Sequence, residues 1–271
     1  MLQYLKDYNA TLTVGEGDYP YVESSTFADD IKYHGGAWQS DFHFVTNPFI
    51  AEGVASDYKI STAKHNLTDG VSALVQWLSG RNDGSDYLNS YIYKYIQNTL
   101  FPGNENVAKS YALRLLIHYV GDIHQPFHNE AMYSSQFPTG DKGGNLITLP
   151  SHYGSDELHA VWDQQMYTEH VHISRPINQT AWDAFQPRVT SLMASGASAV
   201  SKSSEYQNTD IATWVQQSYD ISKTLYDGVV IDTELSQEYI NNGLTICNER
   251  ITLGGYRLAY LTEYIFATAA E

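Results

Sequence analysis

Residues 115–130 of the chain read LLIHYVGDIHQPFHNE. In this stretch His118 and Asp122 stand four residues apart, and His128 follows just beyond Pro126. Residues four apart lie on one face of a helix, so the first two side chains can direct an imidazole and a carboxylate to one point in space. Nitrogen and oxygen ligands without sulfur are typical of zinc sites, so the stretch indicates a helix that binds metal.

The same spacing returns at residues 157–163, which read ELHAVWD, because His159 and Asp163 are again four residues apart. A single pair of this kind is more often a capping or surface pair than a ligand pair. Two pairs around a third histidine, close to apolar residues such as Val161 and Trp162, are harder to explain in that way, because burying an unpaired charge is costly. The constellation therefore predicts a metal site.

Length, composition and charge restrict the class of protein. The 271 residues are enough for one domain with a large core, and the mean hydropathy of −0.36 is typical of a globular protein. No apolar run approaches the ~20 residues needed to cross a bilayer. The net charge of −16 disfavours nucleic-acid binding through surface charge alone, so a polyanionic substrate would need metal ions to supply local positive charge.

The signals for cellular location are weak. The single cysteine, Cys247, cannot form a disulfide within the chain and does not report the redox compartment. Asn-x-Ser/Thr tripeptides occur at Asn9, Asn66 and Asn178, and they matter only in a protein that a glycosylating cell secretes. The first residues lack the basic start and the apolar core of a signal peptide.

The hydrophobic periodicity predicts an all-α protein with a single domain over residues 1–271. The predicted helices cover residues 2–8, 26–32, 49–100 with a loop at 80–84, 105–123, 156–167, 179–203, 208–226 and 233–264. The segment 130–157 is predicted as a long irregular loop with a short strand at 146–149 or a short strand pair. Within the last helix, Gly243, Gly254 and Gly255 are expected to permit close helix packing.

Two further polar residues are open to more than one interpretation. Asp29 is consistent with an acidic residue in the first turn of a helix, which the helix dipole favours, and also with a metal ligand. His43 lies between two aromatic residues in DFHF, where an isolated histidine is usually a hydrogen-bonded core residue.

The motifs HYVGDIHQPFH, GGN at residues 143–145 and LHAVWD resemble those of the zinc-dependent class I nucleases. That family comprises endonucleases that prefer single strands and 3′-nucleotidases, and it shares a superfamily with zinc phospholipase C. FADD near residue 29, DFHF near residue 43 and GGYRLA at residues 254–259 occur in the matching order, so the resemblance extends from about residue 26 to the end. It implies the compact helical domain of this family.

The resemblance also implies a cluster of three zinc ions, of which at least two are expected here. The implied ligands are Asp29, His43, His118 and Asp122 for the first ion, and His128, His159 and Asp163 for the second. Asp122 would also bridge to a third ion and lie close to the attacking water. These roles replace the alternative interpretations of Asp29 and His43, whereas His124 matches no ligand position.

The resemblance also implies which residues contact the substrate. Phe44 matches the aromatic residue that stacks on a base, and Gly144 and Asn145 match a loop of the substrate pocket. Lys32 stands where the family has an arginine that contacts the scissile phosphate, so Lys32 is expected to act in catalysis together with Asp29 and Asp122. Thr46 replaces the aspartate that recognises the base, which leaves base preference open.

The resemblance implies a zinc-dependent hydrolase of single-stranded DNA or RNA with 3′-nucleotidase activity, which uses metal-activated water. The expected protein is a monomer, secreted or resident in an acidic endomembrane compartment. The family binds its third zinc through an N-terminal tryptophan and a nearby histidine, neither of which is present, so a signal peptide and about one helix are expected to be missing from this sequence. A zinc phospholipase C and an inactive zinc-binding protein are the alternatives.

Overall fold

Helices dominate the computed structural model, which describes residues 5–9, 15–51, 58–60, 63–80, 86–168 and 173–267. The main helices are α1 (Phe27–Ile31), α2 (Leu67–Ser79), α3 (Tyr91–Tyr93, continued as a π-helical segment over Lys94–Leu100), α4 (Glu105–His124), α5 (Leu158–Asp163), α6 (Gln179–Ser195), α7 (Ile211–Ser222) and α8 (Gln237–Ala267). Single helical turns occur at Pro20–Glu23 and Ser203–Tyr206, and 3₁₀ helices at Ser24–Thr26, Lys32–His34, Ala37–His43, Tyr87–Asn89, Pro126–Asn129 and Ala197–Val200. The strands are β1 (Asn47–Ile50), β2 (Glu130–Tyr133), β3 (Thr148–His152) and β4 (Ser155–Glu157). The prediction of an all-α fold is confirmed.

Helix α4 is the central element of the fold. Asn104 caps its start by accepting a hydrogen bond from the Val107 N–H at 3.3 Å, and Pro126 follows its end, as predicted. The side chains from 110 to 120 are all buried, so the helix is enclosed on every side rather than along one apolar stripe. Helices α1, α2, α7 and α8 surround it. Residues at any helical spacing on α4 can therefore face a buried site.

Two hydrophobic clusters flank the region of the predicted ligands. The first cluster contains much of α4 together with residues such as Ala28 and Phe42, and the second contains Phe127, Leu158 and Trp162. In both clusters, several of the buried apolar residues directly precede a predicted ligand in the chain. The packing of apolar neighbours thus fixes the backbone at the ligand positions.

A parallel strand pair joins two of the ligand segments. β1 pairs with β2 from Asn47, opposite Glu130, to Ile50, opposite Tyr133. The helix predicted from residue 49 is therefore wrong at its start, because residues 49 and 50 belong to a strand and α2 begins only at Leu67. The partner of β1 lies more than 80 residues away in the chain, so the local sequence carries no signal of the pairing. Periodicity alone does not distinguish a short apolar strand from part of a helix.

The other strand pair lies in the segment predicted as a loop. β3 and β4 are antiparallel and are joined through Tyr153 and Gly154, which both have positive φ. The prediction of a short strand pair within residues 130–157 is confirmed, although β3 begins at Thr148 rather than at residue 146.

Several predicted helices are shorter in the structure. The helix predicted over 156–167 covers only Leu158–Asp163, because β4 precedes it and Gln165, Met166 and Tyr167 have positive φ, and the helix predicted over 208–226 covers Ile211–Ser222. Helix α6 ends at Ser195 rather than at residue 203, because Gly196 lies against α8, where an added Cβ would stand 2.4 Å from the Asn248 carbonyl oxygen. Helix α8 begins at Gln237 rather than near residue 233, because Ser236 caps its start by accepting a hydrogen bond from the Tyr239 N–H at 3.1 Å.

The glycines of α8 differ in how tightly they pack. An added Cβ would lie 2.5 Å from Met166 Sδ at Gly243 and 3.0 Å from His124 Cγ at Gly254, so both positions need a small residue, as predicted. At Gly255 nothing lies within 4 Å of that position, and the prediction of close packing is wrong there.

Some predictions fall outside the described residues. The helix predicted over 2–8 and the loop predicted over 80–84 are only partly described, and so is the beginning of the helix predicted over 49–100. Among the described helices, none is long and apolar enough to cross a membrane.

Candidate metal centre

Three predicted ligands meet where α1, the 3₁₀ helix Ala37–His43 and α4 come together. His118 Nε2 lies 3.2 Å from His43 Nδ1. The Asp29 carboxylate faces both rings, with Oδ2 at 3.6 Å from His118 and Oδ1 at 3.7 Å from His43. The side chain of Asp29 is more than half exposed, whereas the two imidazoles are buried. This first group could hold one cation at the edge of the core.

A second group forms between the 3₁₀ helix Pro126–Asn129 and α5. Asp163 Oδ1 lies 3.7 Å from His128 Nε2, and Asp163 Oδ2 lies 3.6 Å from His159 Nε2. The two rings are 4.8 Å apart between centroids. One ligand atom from each of these residues lies within 4.8 Å of those of the other two, which would suit a second cation.

Asp122 lies between the two groups. Its Oδ2 is 2.9 Å from His43 Nδ1 and 3.2 Å from His118 Nε2, and its Oδ1 is 3.7 Å from His128 Nδ1, the nitrogen that also contacts the His43 carbonyl oxygen. Burial opposes the charged carboxylate, but the facing imidazoles of His118 and His128 outweigh it and hold the pKa of Asp122 well below its usual value. The ionised carboxylate is thus positioned to face both groups at once.

Backbone carbonyl oxygens determine which nitrogen of three histidines carries the proton. The Nδ1 atoms of His118, His128 and His159 lie 2.6 Å from Ser25 O, 2.8 Å from His43 O and 2.6 Å from Gly143 O, respectively. A carbonyl oxygen can only accept, so each Nδ1 carries a proton and each Nε2 faces the acidic side chains with its lone pair. This is the tautomer that a metal ligand requires.

The fourth imidazole uses the opposite nitrogen. His43 Nε2 donates to Gln39 Oε1 at 2.9 Å, which leaves Nδ1 to face Asp122. Gln39 is fully buried and is itself fixed, because its Oε1 also accepts from the Tyr119 hydroxyl at 2.5 Å and its Nε2 donates to the Ala28 carbonyl oxygen at 2.8 Å. Sequence reasoning missed Gln39, although its position four residues before His43 is a detectable signal.

Gln125 plays the corresponding part at the second group. Its Nε2 donates to Asp163 Oδ1 at 2.9 Å, and its Oε1 accepts from the Phe127 N–H at 2.6 Å. The two contacts together determine the orientation of the amide, so the side chain both caps the 3₁₀ helix Pro126–Asn129 and orients the carboxylate. It too was missed from the sequence.

The donor set fits a divalent cation. In the described part of the chain, Asp122 Oδ2 is buried without a hydrogen-bond partner, and imidazole lone pairs point toward carboxylates. Such an arrangement is repulsive unless a cation or added protons lie between the groups. Consistent with this, the Asp122 carboxylate outweighs burial and raises the pKa of His118, and that of His128 to about 9. Three carboxylates and four imidazoles are the ligand types that zinc accepts.

The predicted substrate residues lie around this centre. The Phe44 ring stacks on His128, with 4.8 Å between centroids and 26° between planes, and it is tilted against His159 at 6.1 Å. Lys32 Nζ lies 2.8 Å from Asp29 Oδ1, so this cation is next to the first group. Both residues are therefore near enough to contact a substrate bound at the centre.

Gly144 and Asn145 belong to a tight loop that Asp141 organises. Asp141 accepts from the N–H groups of Gly143 at 3.0 Å and Gly144 at 2.8 Å, and also from the Met132 N–H at 2.8 Å. Both glycines have positive φ, and the Gly143 carbonyl oxygen is the one that orients His159. The half-buried Asn145 donates to the Lys142 carbonyl oxygen within the loop at 2.7 Å.

Asp141 was missed from the sequence, although an aspartate two and three residues before a pair of glycines is a recognisable turn signal. Behind it, the Tyr226 hydroxyl bonds both Asp141 Oδ2, at 2.7 Å, and Glu130 Oε1. Burial and the charge of Asp141 raise the pKa of Glu130 well above its usual value, so of the two carboxyl groups Glu130 is the one that favours its protonated form.

An apolar trough of about 500 Å³ opens on the centre at Asp122 and Asp163. Its walls include Ile117, Leu258 and the small residue Gly255. A substrate with an apolar portion could place it here while its phosphate lies at the metal ligands.

His124, which matches no ligand position, is turned away from the two groups. Its Nδ1 donates to the Val120 carbonyl oxygen at 2.7 Å, and its Nε2 lies 3.0 Å from Arg257 Nη1. Burial and the charges of Arg250 and Arg257 hold the pKa of His124 well below its usual value. Its Nε2 is therefore an acceptor for an arginine in the core.

Comparison with known proteins gives consistent matches. The family model described as S1/P1 Nuclease matches residues 4–267. The chain is 27% identical to Nuclease S1 of Aspergillus oryzae over 269 residues, which are 93% of this chain and 82% of that protein. It is 25% identical to Endonuclease 4 of Arabidopsis thaliana over 93% of this chain and 79% of that protein. It is 31% identical to Endonuclease 1 of the same plant over 161 residues, 58% of this chain and 50% of that protein.

Proposed function

The chain belongs to the S1/P1 nuclease family, and we propose that it is a zinc-dependent phosphodiesterase that cleaves single-stranded DNA or RNA. The enzymes of this family cleave nucleic acids, and this chain is such an enzyme. The main support for zinc dependence comes from Asp122. Its carboxylate faces both ligand groups, and one of its oxygens is buried without a hydrogen-bond partner among the described residues.

The seven proposed ligands form two sets, one for each zinc ion. The first zinc would be held by Asp29, His43, His118 and Asp122, and the second by His128, His159 and Asp163. When bound, zinc supplies Lewis-acid stabilisation of phosphoryl oxygens and lowers the pKa of water. The ionised Asp122 is the acceptor that orients the attacking water and holds its proton.

The ammonium group of Lys32, beside the first ligand group, acts on the substrate phosphate. Lys32 is partly exposed and is paired with Asp29, so its ammonium group lies at the edge of the centre. It supplies one point charge to a phosphate oxygen, without the two-point contact that an arginine would make.

Single-strand preference follows from Phe44. Its ring covers His128, where a base can stack on the phenyl face only if it has left the double helix. Base stacking on an aromatic side chain contributes ~1–3 kcal/mol per base and tolerates every base. Gly144 and Asn145 form the other side of the base pocket, and Asp141 keeps their loop in place. A terminal 3′-phosphate at the same centre would account for 3′-nucleotidase activity.

The protein is proposed to be a monomer that is secreted or that resides in an acidic endomembrane compartment. Asn9 and Asn178 are exposed, as glycosylation requires, whereas Asn66 is half-buried at the start of α2.

The decisive test combines a zinc count with strand selectivity. Elemental analysis of the purified protein should give at least two zinc ions per chain, and single-stranded DNA should be cleaved much faster than a duplex of the same sequence. Asp122→Asn is the matched control, because it preserves size but removes the bridging charge, and it should abolish cleavage. A protein without zinc that cleaves neither substrate would overturn the proposal.

A second candidate is hydrolysis of a phospholipid headgroup ester, because the apolar trough beside Asp122 and Asp163 could accept a hydrocarbon portion. Vesicles of phosphatidylcholine, assayed in parallel with single-stranded DNA, separate the two functions. Zinc-dependent release of phosphocholine without DNA cleavage would favour the lipid substrate. No turnover of either substrate above the Asp122→Asn control would favour a zinc-binding protein without activity.

A further inference from the structure

A second cavity, of about 420 Å³, lies between α2 and the segment that leads into α3. We call it the aromatic pocket and define it by Phe42, His65, Asp69, Gln76, Asp86 and Tyr91, which line it. None of these residues belongs to the proposed metal ligands.

Three rings of the aromatic pocket are nearly parallel. The His65 ring lies 4.6 Å from Tyr91 at 15° and 5.6 Å from Phe42 at 25°, and Phe42 and Tyr91 are 6.3 Å apart at 23°. Phe42 is buried, His65 is half-buried and Tyr91 is exposed, so the group extends from the core to the surface. Parallel aromatic planes that reach solvent are suited to stacking against another flat ring.

The opposite wall is polar and acidic. Asp69, Ser72, Ala73 and Gln76 follow one another at helical spacing on one face of α2, and Asp86 adds a further carboxylate. Among the described residues, no lysine or arginine lines the cavity, so phosphate is disfavoured inside it. Ionised carboxylates only accept hydrogen bonds, and the amino and imino groups of nucleobases are donors of matching size.

The aromatic pocket is joined to the metal centre through the backbone. Phe42 directly precedes the ligand His43, and the Leu67 N–H at the start of α2 donates to the Phe44 carbonyl oxygen at 2.9 Å. The exposed Lys64 precedes His65 and offers a cation near the cavity for a phosphate that stays in solvent. A strand bound at Phe44 therefore has a second aromatic platform close by.

We propose that the aromatic pocket is an accessory binding site for an unpaired nucleobase of the strand whose phosphodiester lies at the metal centre. The base stacks on the face of Tyr91 that is turned away from His65, because Tyr91 is the exposed ring of the group, and the amino group of the base donates to Asp69 or Asp86. The proposal rests on the proposed nuclease function and adds a second site that binds the same strand.

Kinetics on substrates of two lengths provide the first test. Tyr91→Ala should raise KM for a long single strand about 5- to 150-fold, the range expected for losing one stacked base, with kcat unchanged. Cleavage of a 3′-mononucleotide, whose single base cannot occupy both platforms, should be unchanged. Tyr91→Phe keeps the ring and should behave as the unmodified protein. An equal loss on both substrates, no loss on either, or a loss with Tyr91→Phe would overturn the proposal.

A binding measurement separates this proposal from the nuclease function itself. Phe44→Ala removes the platform at the centre, and calorimetric titration of this variant with a nucleoside should still detect binding. Adding Tyr91→Ala should abolish that binding, and adding Asp69→Asn, an exposed change that spares the stacked rings, should weaken it for nucleosides that carry an amino group. Loss of nucleic-acid cleavage in the unmodified protein would end the proposed function but would leave this binding result intact.

The same titration tests the main competing ligand. Aromatic rings beside carboxylates also suit neutral sugars. If a monosaccharide binds the Phe44→Ala variant and a nucleoside does not, the aromatic pocket is a sugar site and the proposal is wrong.

Discussion

Each imidazole at the centre has one nitrogen committed to a protein oxygen and one directed at the acidic ligands. Ser25, His43 and Gly143 supply the backbone oxygens, and Gln39 supplies a side-chain oxygen. Rotation of any ring would break such a bond. The ligand geometry is therefore set before a metal arrives, which reduces the entropy cost of binding it.

His118→Ala should remove the first zinc and almost all activity, because it deletes a ligand whose Nε2 faces both Asp29 and Asp122. His124→Ala is the matched control on the same helix. It should keep its zinc and much of its activity but lose about 2–4 kcal/mol of stability, because it leaves a cavity and a buried arginine without its partner. Zinc per chain, turnover and thermal unfolding check both variants, and the reverse ranking would refute the ligand assignment.

Gln39→Leu should weaken zinc binding by about 10- to 100-fold, because His43 would lose the acceptor that holds its tautomer. Tyr119→Phe removes only the other hydrogen bond to the same oxygen, so its zinc affinity should stay near that of the unmodified protein. Competition with a chelator gives both affinities. Equal affinities for the two variants would show that Gln39 does not act through His43.

At the level of elements, the loop around the two glycines is held by one ionised carboxylate rather than by regular secondary structure. Asp141 accepts from three backbone N–H groups and a hydroxyl, and the loop in turn supplies the oxygen that orients His159. A charge buried behind the site thus controls a ligand in front of it.

Asp141→Asn should lower activity and cost about 2–4 kcal/mol of stability, because an amide cannot accept at both of its terminal atoms and leaves buried N–H groups unpaired. Glu130→Gln is the control, because the raised pKa of Glu130 favours its protonated form, which an amide resembles. That variant should unfold within about 1 kcal/mol of the unmodified protein. Chemical denaturation and turnover at pH 7 test the pair, and a larger loss for Glu130→Gln would contradict this account.

Two glycines near the last helix should respond to alanine in opposite directions. Gly196→Ala should cost about 1–3 kcal/mol or more, because the new Cβ would meet the Asn248 carbonyl oxygen at 2.4 Å, and backbone cannot move aside easily. Gly255→Ala should stabilise by about 0.5–1 kcal/mol, because helical glycine is unfavourable and nothing lies within 4 Å. Thermal unfolding decides, and equal shifts would show that the contact at Gly196 relaxes.

At the level of the whole molecule, a net charge of −16 opposes the approach of a polyanion. Under the proposed function, attraction to the phosphate backbone would come from cations bound at the centre and from a few lysines, unlike in a protein with a basic groove. Substrate capture therefore takes place against the average field of the surface.

The dependence of kcat/KM on ionic strength should reveal the repulsion between the acidic protein and its substrate. kcat/KM for a long single strand should rise as salt is raised, because the Debye length falls from about 30 Å at 0.01 M to about 8 Å at 0.15 M and screens the repulsion. A dinucleotide carries little charge and should change much less. A steep fall with salt, the usual behaviour of proteins that bind through many phosphate contacts, would contradict the prediction.

The helical architecture and both histidine–aspartate pairs are readable from the sequence, because helical spacing is a local property and the pairs sit on α4 and α5, which are local structures. The resemblance added Asp29 and His43, which spacing alone left open, and the structure brings both into the first group. The end of α4 before Pro126 was predictable for the same local reason.

Only the tertiary structure decided the rest. The strand pairing that replaced the predicted helix at Phe49, the contact that ends α6 at Gly196, and the oxygens that set the histidine tautomers all depend on segments distant in the chain. Backbone oxygens are present at every residue, so no side-chain pattern marks the few that bind an imidazole. The local sequence determined which groups this protein carries, and long-range packing determined which atom of each group faces the candidate metal centre.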